Sequence, residues 1–67
     1  MKLRKEFAKN LRRIRKERGI SQEKLAELAD LDRTYIGRIE LKNANVSLET
    51  VEKLSQALNV SPLELLK

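Results

Sequence analysis

Four residues with short polar side chains, Ser21, Asp32, Ser47 and Ser61, each stand immediately before a stretch whose apolar residues recur at helical spacing. An oxygen at such a position accepts one of the backbone N–H groups that the first helical turn leaves unpartnered, so each is a start signal. A fifth stretch opens the chain. Leu3, Phe7, Leu11 and Ile14 recur at steps of four, four and three, which predicts an amphipathic helix from residue 3 to about residue 18, closed by Gly19. The last start is the clearest, because Ser61-Pro62-Leu63-Glu64 joins a capping box to a proline at the first helical position. The stretch from about Leu48 to Leu58 is expected to bury Leu48, Val51, Leu54, Ala57 and Leu58, and to end at Asn59 in a left-handed conformation. Strand signals are nearly absent, and no linker, low-complexity segment or internal repeat interrupts the pattern. The chain reads as all-α, a compact five-helix bundle forming one domain over residues 1–67.

A bundle of 67 residues buries only about 60% of the surface its unfolded chain exposes, so its stability is modest. Neither cysteine nor histidine is present, which removes disulfides, the usual zinc ligands, the commonest general base and most nucleophilic dyads. No enzyme activity, metal or cofactor is expected, and no small-molecule ligand is evident. No apolar run approaches the roughly 18 residues that span a bilayer, and the opening MKLRKEF lacks the apolar stretch of a signal peptide. From this the chain is expected to be soluble and cytoplasmic, with Met1 a natural start. Its charge is uneven. Residues 1–18 hold nine basic and two acidic residues, while the remainder holds six and eight. That asymmetry suggests an anionic partner, nucleic acid or a membrane surface; the plain alternative is a solvated helix face.

The twenty residues Gln22 to Leu41, QEKLAELADLDRTYIGRIEL, carry two short helical patterns hinged at Ala29-Asp30-Leu31-Asp32. This is the spacing of a helix-turn-helix. Leu25, Ala29, Leu31, Ile36 and Ile39 are the positions expected to face the core, Ala26 lets the two helices approach, and Asp30 sits where the turn needs a left-handed residue. On a helical wheel Ile36 and Ile39 mark the inner side of the second helix, leaving Arg33, Thr34, Gly37, Arg38 and Leu41 outside. The outer arc suits the major groove of duplex DNA. Arg33 and Arg38 can each donate two hydrogen bonds to a guanine edge, and Thr34 can bond a base or press its methyl on thymine. Glycine inside a helix is unfavourable by about 1 kcal/mol relative to alanine, so Gly37 serves either close approach to the groove or a crowded helix crossing. Tyr35 lies at the edge of the inner arc, where its ring packs and its hydroxyl can reach a phosphate or a thymine. Arg15 and Glu40 each adjoin an apolar stripe, which suggests a partly buried salt bridge between the first and third helices.

These residues resemble the Cro and phage-repressor type of helix-turn-helix, the XRE family, from about Leu11 to Leu66. The resemblance rests on Ile14-Arg15 through Gly19-Ile20-Ser21-Gln22, the Leu25-Ala26 pair, Ile36-Gly37-Arg38-Ile39-Glu40, and Ser47-Leu48-Glu49 followed by Ala57-Leu58-Asn59-Val60, in order and in register. Within the family, Leu31-Asp32-Arg33-Thr34-Tyr35-Ile36 and Asn45-Val46-Ser47-Leu48 look most like the controller proteins of restriction–modification systems. The resemblance implies a phage-repressor type fold, base contacts from the start of the helix at Arg33, a phosphate clamp at Gln22, and the pairing of Arg15 with Glu40. Lys42, Asn43 and Asn45 would touch the DNA backbone from the following loop. Here the chain departs from many relatives, which carry glycine and arginines where it has Leu41-Lys42-Asn43-Ala44.

A single recognition helix reads few base pairs, so proteins of this size bind palindromic sites as two-fold dimers. Leu63, Leu65 and Leu66 crowd a final helix too short to bury all three, and make residues 48–67 the expected dimer surface. The expectation is a homodimeric, sequence-specific transcriptional regulator binding double-stranded DNA, associated with the nucleoid when bound. Two alternatives use the same residues differently: an antitoxin or other protein-interaction module on this fold, and a basic amphipathic helix lying on anionic membrane.

Overall fold

The computed structural model describes residues 2–41 and 44–67, the side chains of residues 2 and 3 excepted. Among these residues the elements are α1 (Lys2–Glu17), α2 (Gln22–Ala29), α3 (Arg33–Glu40), α4 (Leu48–Leu58) and α5 (Pro62–Leu66), with no strand. Each of the four polar start residues caps its helix: Ser21 accepts from the Lys24 N–H, Asp32 from Thr34, Ser47 from Thr50 and Ser61 from Leu63. The last contact departs from the expected capping box. Ser61 bonds the second helical residue rather than the third, and the Glu64 carboxylate turns to Lys67 at 3.3 Å.

Three helices end alike. Gly19, Asp30 and Asn59 are left-handed, with φ of 69°, 57° and 58°. After each, an apolar residue sends its N–H back to the last turn: Ile20 to the Arg15 carbonyl at 3.2 Å, Leu31 to Ala26 at 2.9 Å and Val60 to Ser55 at 2.9 Å. This is the Schellman ending, in which the residue beyond the left-handed one also folds onto the helix. Ile20, Leu31 and Val60 all pack against the core, so these three reversals are each tied down twice, by a hydrogen bond and by burial.

α1 packs on α3 and α5, α2 on α3 and α4, and α4 on α5. Leu11, Leu25, Ile36, Ile39, Leu54, Leu58 and Leu65 are fully enclosed where these helices meet. Phe7, Leu11 and Ile14 spend the apolar stripe of α1 on this core, which leaves a membrane-surface helix without its apolar face; the side chain of Leu3 lies outside what the structure describes. Two expected placements change. Leu48 is 85% exposed, because it lies at the first position of α4, about 90° around the helix from the centre of the buried arc. Leu65 is 0% exposed and belongs to the core, not to a dimer surface. Its helix is held by Asn10 of α1, whose amide donates to the carbonyls of Leu65 at 3.0 Å and Lys67 at 3.1 Å.

Candidate nucleic-acid interface

The second and third helices meet at the turn Asp30–Asp32, with Ala26 and Ala29 buried between them. Small side chains there let α3 lie close across α2, and Ile36 and Ile39 turn its inner side to the core. The opposite side is free. Arg33, Thr34 and Arg38 are exposed, and their side chains make no hydrogen bond or ion pair among the described residues. Leu41 is exposed beside them. A Cβ built on Gly37 meets only the Gln22 Oε1, at 3.7 Å, an ordinary contact. No helix crossing therefore demands glycine there.

Beneath this face a polar network ties three helices together. The Arg15 guanidinium grips Glu40 in a fork, Nε to Oε2 at 2.7 Å and Nη2 to Oε1 at 3.0 Å, while its Nη1 donates to the Ile20 carbonyl at 2.9 Å. The two side chains are 10% and 4% exposed. Burial alone would push the Glu40 carboxyl up, but hydrogen bonds from Arg15 and Gln22 outweigh it and hold the group below its ordinary value. The same hydrogen bond from Arg15 to Glu40 raises the guanidinium further. The salt bridge expected from the sequence is thus present. Its third member, Gln22, was not foreseen: the amide Nε2 donates to Glu40 Oε1 at 3.0 Å. An amide nitrogen carries two N–H donors, so one is spent inward and the other makes no hydrogen bond among the described residues.

Tyr35 is half-buried, and its hydroxyl donates to the Asn45 carbonyl at 2.8 Å. Phosphate oxygens only accept, so this O–H would have to leave Asn45 to bond one; in the free protein it pins the loop instead. Asn45 also accepts from Arg4 at its side-chain oxygen, a partner 41 residues away that no local pattern announces. Lys42 and Asn43 lie outside the described residues. The structure therefore brings together Arg33, Thr34 and Arg38 on one outer face, Gln22 at its border, and Tyr35 with Asn45 along the next loop.

Residues 11–65 match the helix-turn-helix family model, and the chain belongs to that family. Within it the similarity is to controller proteins of restriction–modification systems. The chain is 51% identical over 61 residues to the control protein C.BamHI of Bacillus amyloliquefaciens, covering 90% of this chain and 75% of that one. The crystal structure of the restriction–modification controller protein C.AhdI from Aeromonas hydrophila superposes with a TM-score of 0.90 at 45% identity, covering 92% of this chain and 94% of that one. The controller protein C.Esp1396I, solved as a tetramer in complex with its natural 35 base-pair operator, gives 0.86 at 34% identity, covering 97% and 96%. Among the described residues, no helix is long and apolar enough to cross a membrane.

Proposed function

We propose that this protein is a sequence-specific regulator of transcription that binds a palindromic operator in duplex DNA as a homodimer, with α3 in the major groove. The observation that carries the proposal is the division of α3 into a locked inner side and an unengaged outer one, bearing Arg33, Thr34 and Arg38 around a glycine that packing does not require. Arg33, Thr34 and Arg38 read bases; the second N–H of Gln22 and the α2 N-terminus hold a phosphate. Asn45, with Lys42 and Asn43, follows the backbone on the far side, and Tyr35 orients that loop. The protein acts by binding and not by catalysis, in the cytoplasm, on the nucleoid when DNA-bound. The operator complex of C.Esp1396I supports the partner, and the similarity to C.BamHI supports the regulatory role.

Residues 1–67 act as one unit with the helix-turn-helix at 22–41, and the dimer forms through residues 48–67. Leu63, at 70% exposed, supplies the apolar contact with the partly buried Leu66, and the exposed Leu48 on α4 adds to it. Two recognition helices about 34 Å apart would then address successive major grooves. Selection of binding sites from random duplex DNA tests the whole proposal. An enriched inverted repeat with half-sites one helical turn apart is the expected result; no enrichment, or binding indifferent to salt, refutes it.

A further inference from the structure

Of the cations in and just beyond α1, Arg4, Arg13, Arg15 and Arg18 have partners inside the chain: Asn45, Glu17, Glu40 and the Leu58 carbonyl. Lys9, Arg12 and Lys16 make no hydrogen bond or ion pair among the described residues, yet they stand on one row of the helix at steps of three and four. With Ala8, Arg13 and Glu40 they line a cleft of about 330 Å³ between α1 and the end of α3. Like charges at this spacing repel and weaken the helix. Arg12 is attracted to the Glu40 charge, but this is the weakest of the influences on that carboxylate, whose oxygens already accept from Arg15 and Gln22. The row thus presents concentrated positive charge to solvent, alongside the end of the helix that faces DNA.

We propose that Lys9, Arg12 and Lys16 form a second backbone-binding strip, which follows the DNA phosphates past the base pairs that α3 reads. The proposal rests on the DNA-binding function above. From Lys9 to Lys16 the helix rises about 10 Å, close to three phosphate steps at about 3.4 Å of axis each. The strip carries no sequence preference, and it sets how tightly the protein holds a site once α3 has chosen it.

The test compares Lys9→Gln/Arg12→Gln/Lys16→Gln with the intact protein on the selected operator, at a series of salt concentrations. Glutamine favours helix, and circular dichroism confirms the fold. Each lost phosphate contact lowers the slope of log K against log salt by about 0.9, so the triple variant should lose between about two and three units while preferring the same bases. Arg12→Gln alone should lose about one unit. Lys53→Gln, on α4 and outside the cleft, makes the same change in net charge and should lose none. An unchanged slope in the folded triple variant overturns the proposal, as does an equal effect of Lys53→Gln. Loss of binding to polyglutamate with DNA binding intact also overturns it, in favour of an acidic protein segment. Failure of the unsubstituted protein to select any DNA site would instead defeat the operator function itself.

Discussion

Replacing Glu40 by glutamine should come close to unfolding this domain. The carboxylate accepts three hydrogen bonds, two from Arg15 at 2.7 and 3.0 Å and one from Gln22 at 3.0 Å. Glutamine keeps the shape but turns one acceptor into a donor, so one N–H of the fork or of Gln22 faces another N–H, and the Arg15 charge is left enclosed without an anion. Removing one partner of a buried pair is unfavourable by about 3–5 kcal/mol. Stability per residue of about 0.05–0.15 kcal/mol gives a chain of this length roughly 3–10 kcal/mol in all. Each kcal/mol moves the midpoint of so small a domain by about 4–8 °C, so Glu40→Gln should lower it by at least about 12 °C in thermal unfolding followed by circular dichroism. Arg15→Met/Glu40→Leu, which removes both charges, should lie within about 1.5 kcal/mol of the original, since the penalty comes from the orphaned charge.

Acid supplies an independent check. The Glu40 pKa in the folded protein lies below its ordinary value of 4.5, so the stability it contributes is present above that value and disappears as pH falls through the folded one. The gap between the protein and its Glu40→Gln variant should therefore be full at neutral pH and narrow on acidification below 4.5. A midpoint for Glu40→Gln within about 3 °C of the original at neutral pH, or a gap that does not change with pH, would refute this account of the network.

Gly37→Ala should raise stability by up to about 1 kcal/mol, because alanine favours helix and its Cβ meets only an ordinary contact, while operator affinity falls; a gain in both would remove the close-approach role. Arg33→Ala and Arg38→Ala should each relax preference at particular bases by about 1–3 kcal/mol in competition binding, whereas Gln22→Ala weakens all sites alike. Asp30→Gly should be neutral or stabilising and Asp30→Ala unfavourable by about 1 kcal/mol in urea unfolding, since only the β-carbon opposes the left-handed backbone. Leu65→Ala should destabilise by about 2–5 kcal/mol, while Leu63→Ser leaves the fold within about 0.5 kcal/mol and shifts sedimentation equilibrium toward monomer.

Helix starts and ends were legible because their chemistry is local. Ser21, Asp32, Ser47 and Ser61 bond N–H groups two or three residues ahead, and Asp30 and Asn59 announce their turns by tolerating positive φ. Each is followed by an apolar residue that completes the ending. Leu48 and Leu65 were misplaced for a related reason: at the first turn of a helix, or in one of five residues, too few positions define an inner arc, and packing of distant segments decides which leucine is enclosed. Asn10 illustrates the same limit from the other side. It interrupts the apolar stripe of α1 as if misplaced, and only the arrival of residues 65 and 67 gives its amide two carbonyls to bond. The pairing of Arg15 with Glu40 could be read because both stand beside apolar stripes; Gln22 could not, because its place beside a cap pointed outward.

That last omission bears on function. Glu40 lies at the end of α3, Gln22 at the start of α2 and Arg15 in α1, so one carboxylate ties the proposed phosphate clamp to the helix proposed to read bases. Preorganised donors need not be ordered on binding, which reduces the entropic penalty of recognition. The proposed readers stay outside this network: the side chains of Arg33, Thr34 and Arg38 bond nothing among the described residues, so they can be exchanged without loosening what positions them. A helix-turn-helix built this way separates the choice of sequence from the geometry of docking. Its outer arc can be substituted without touching the contacts that join Arg15, Gln22 and Glu40.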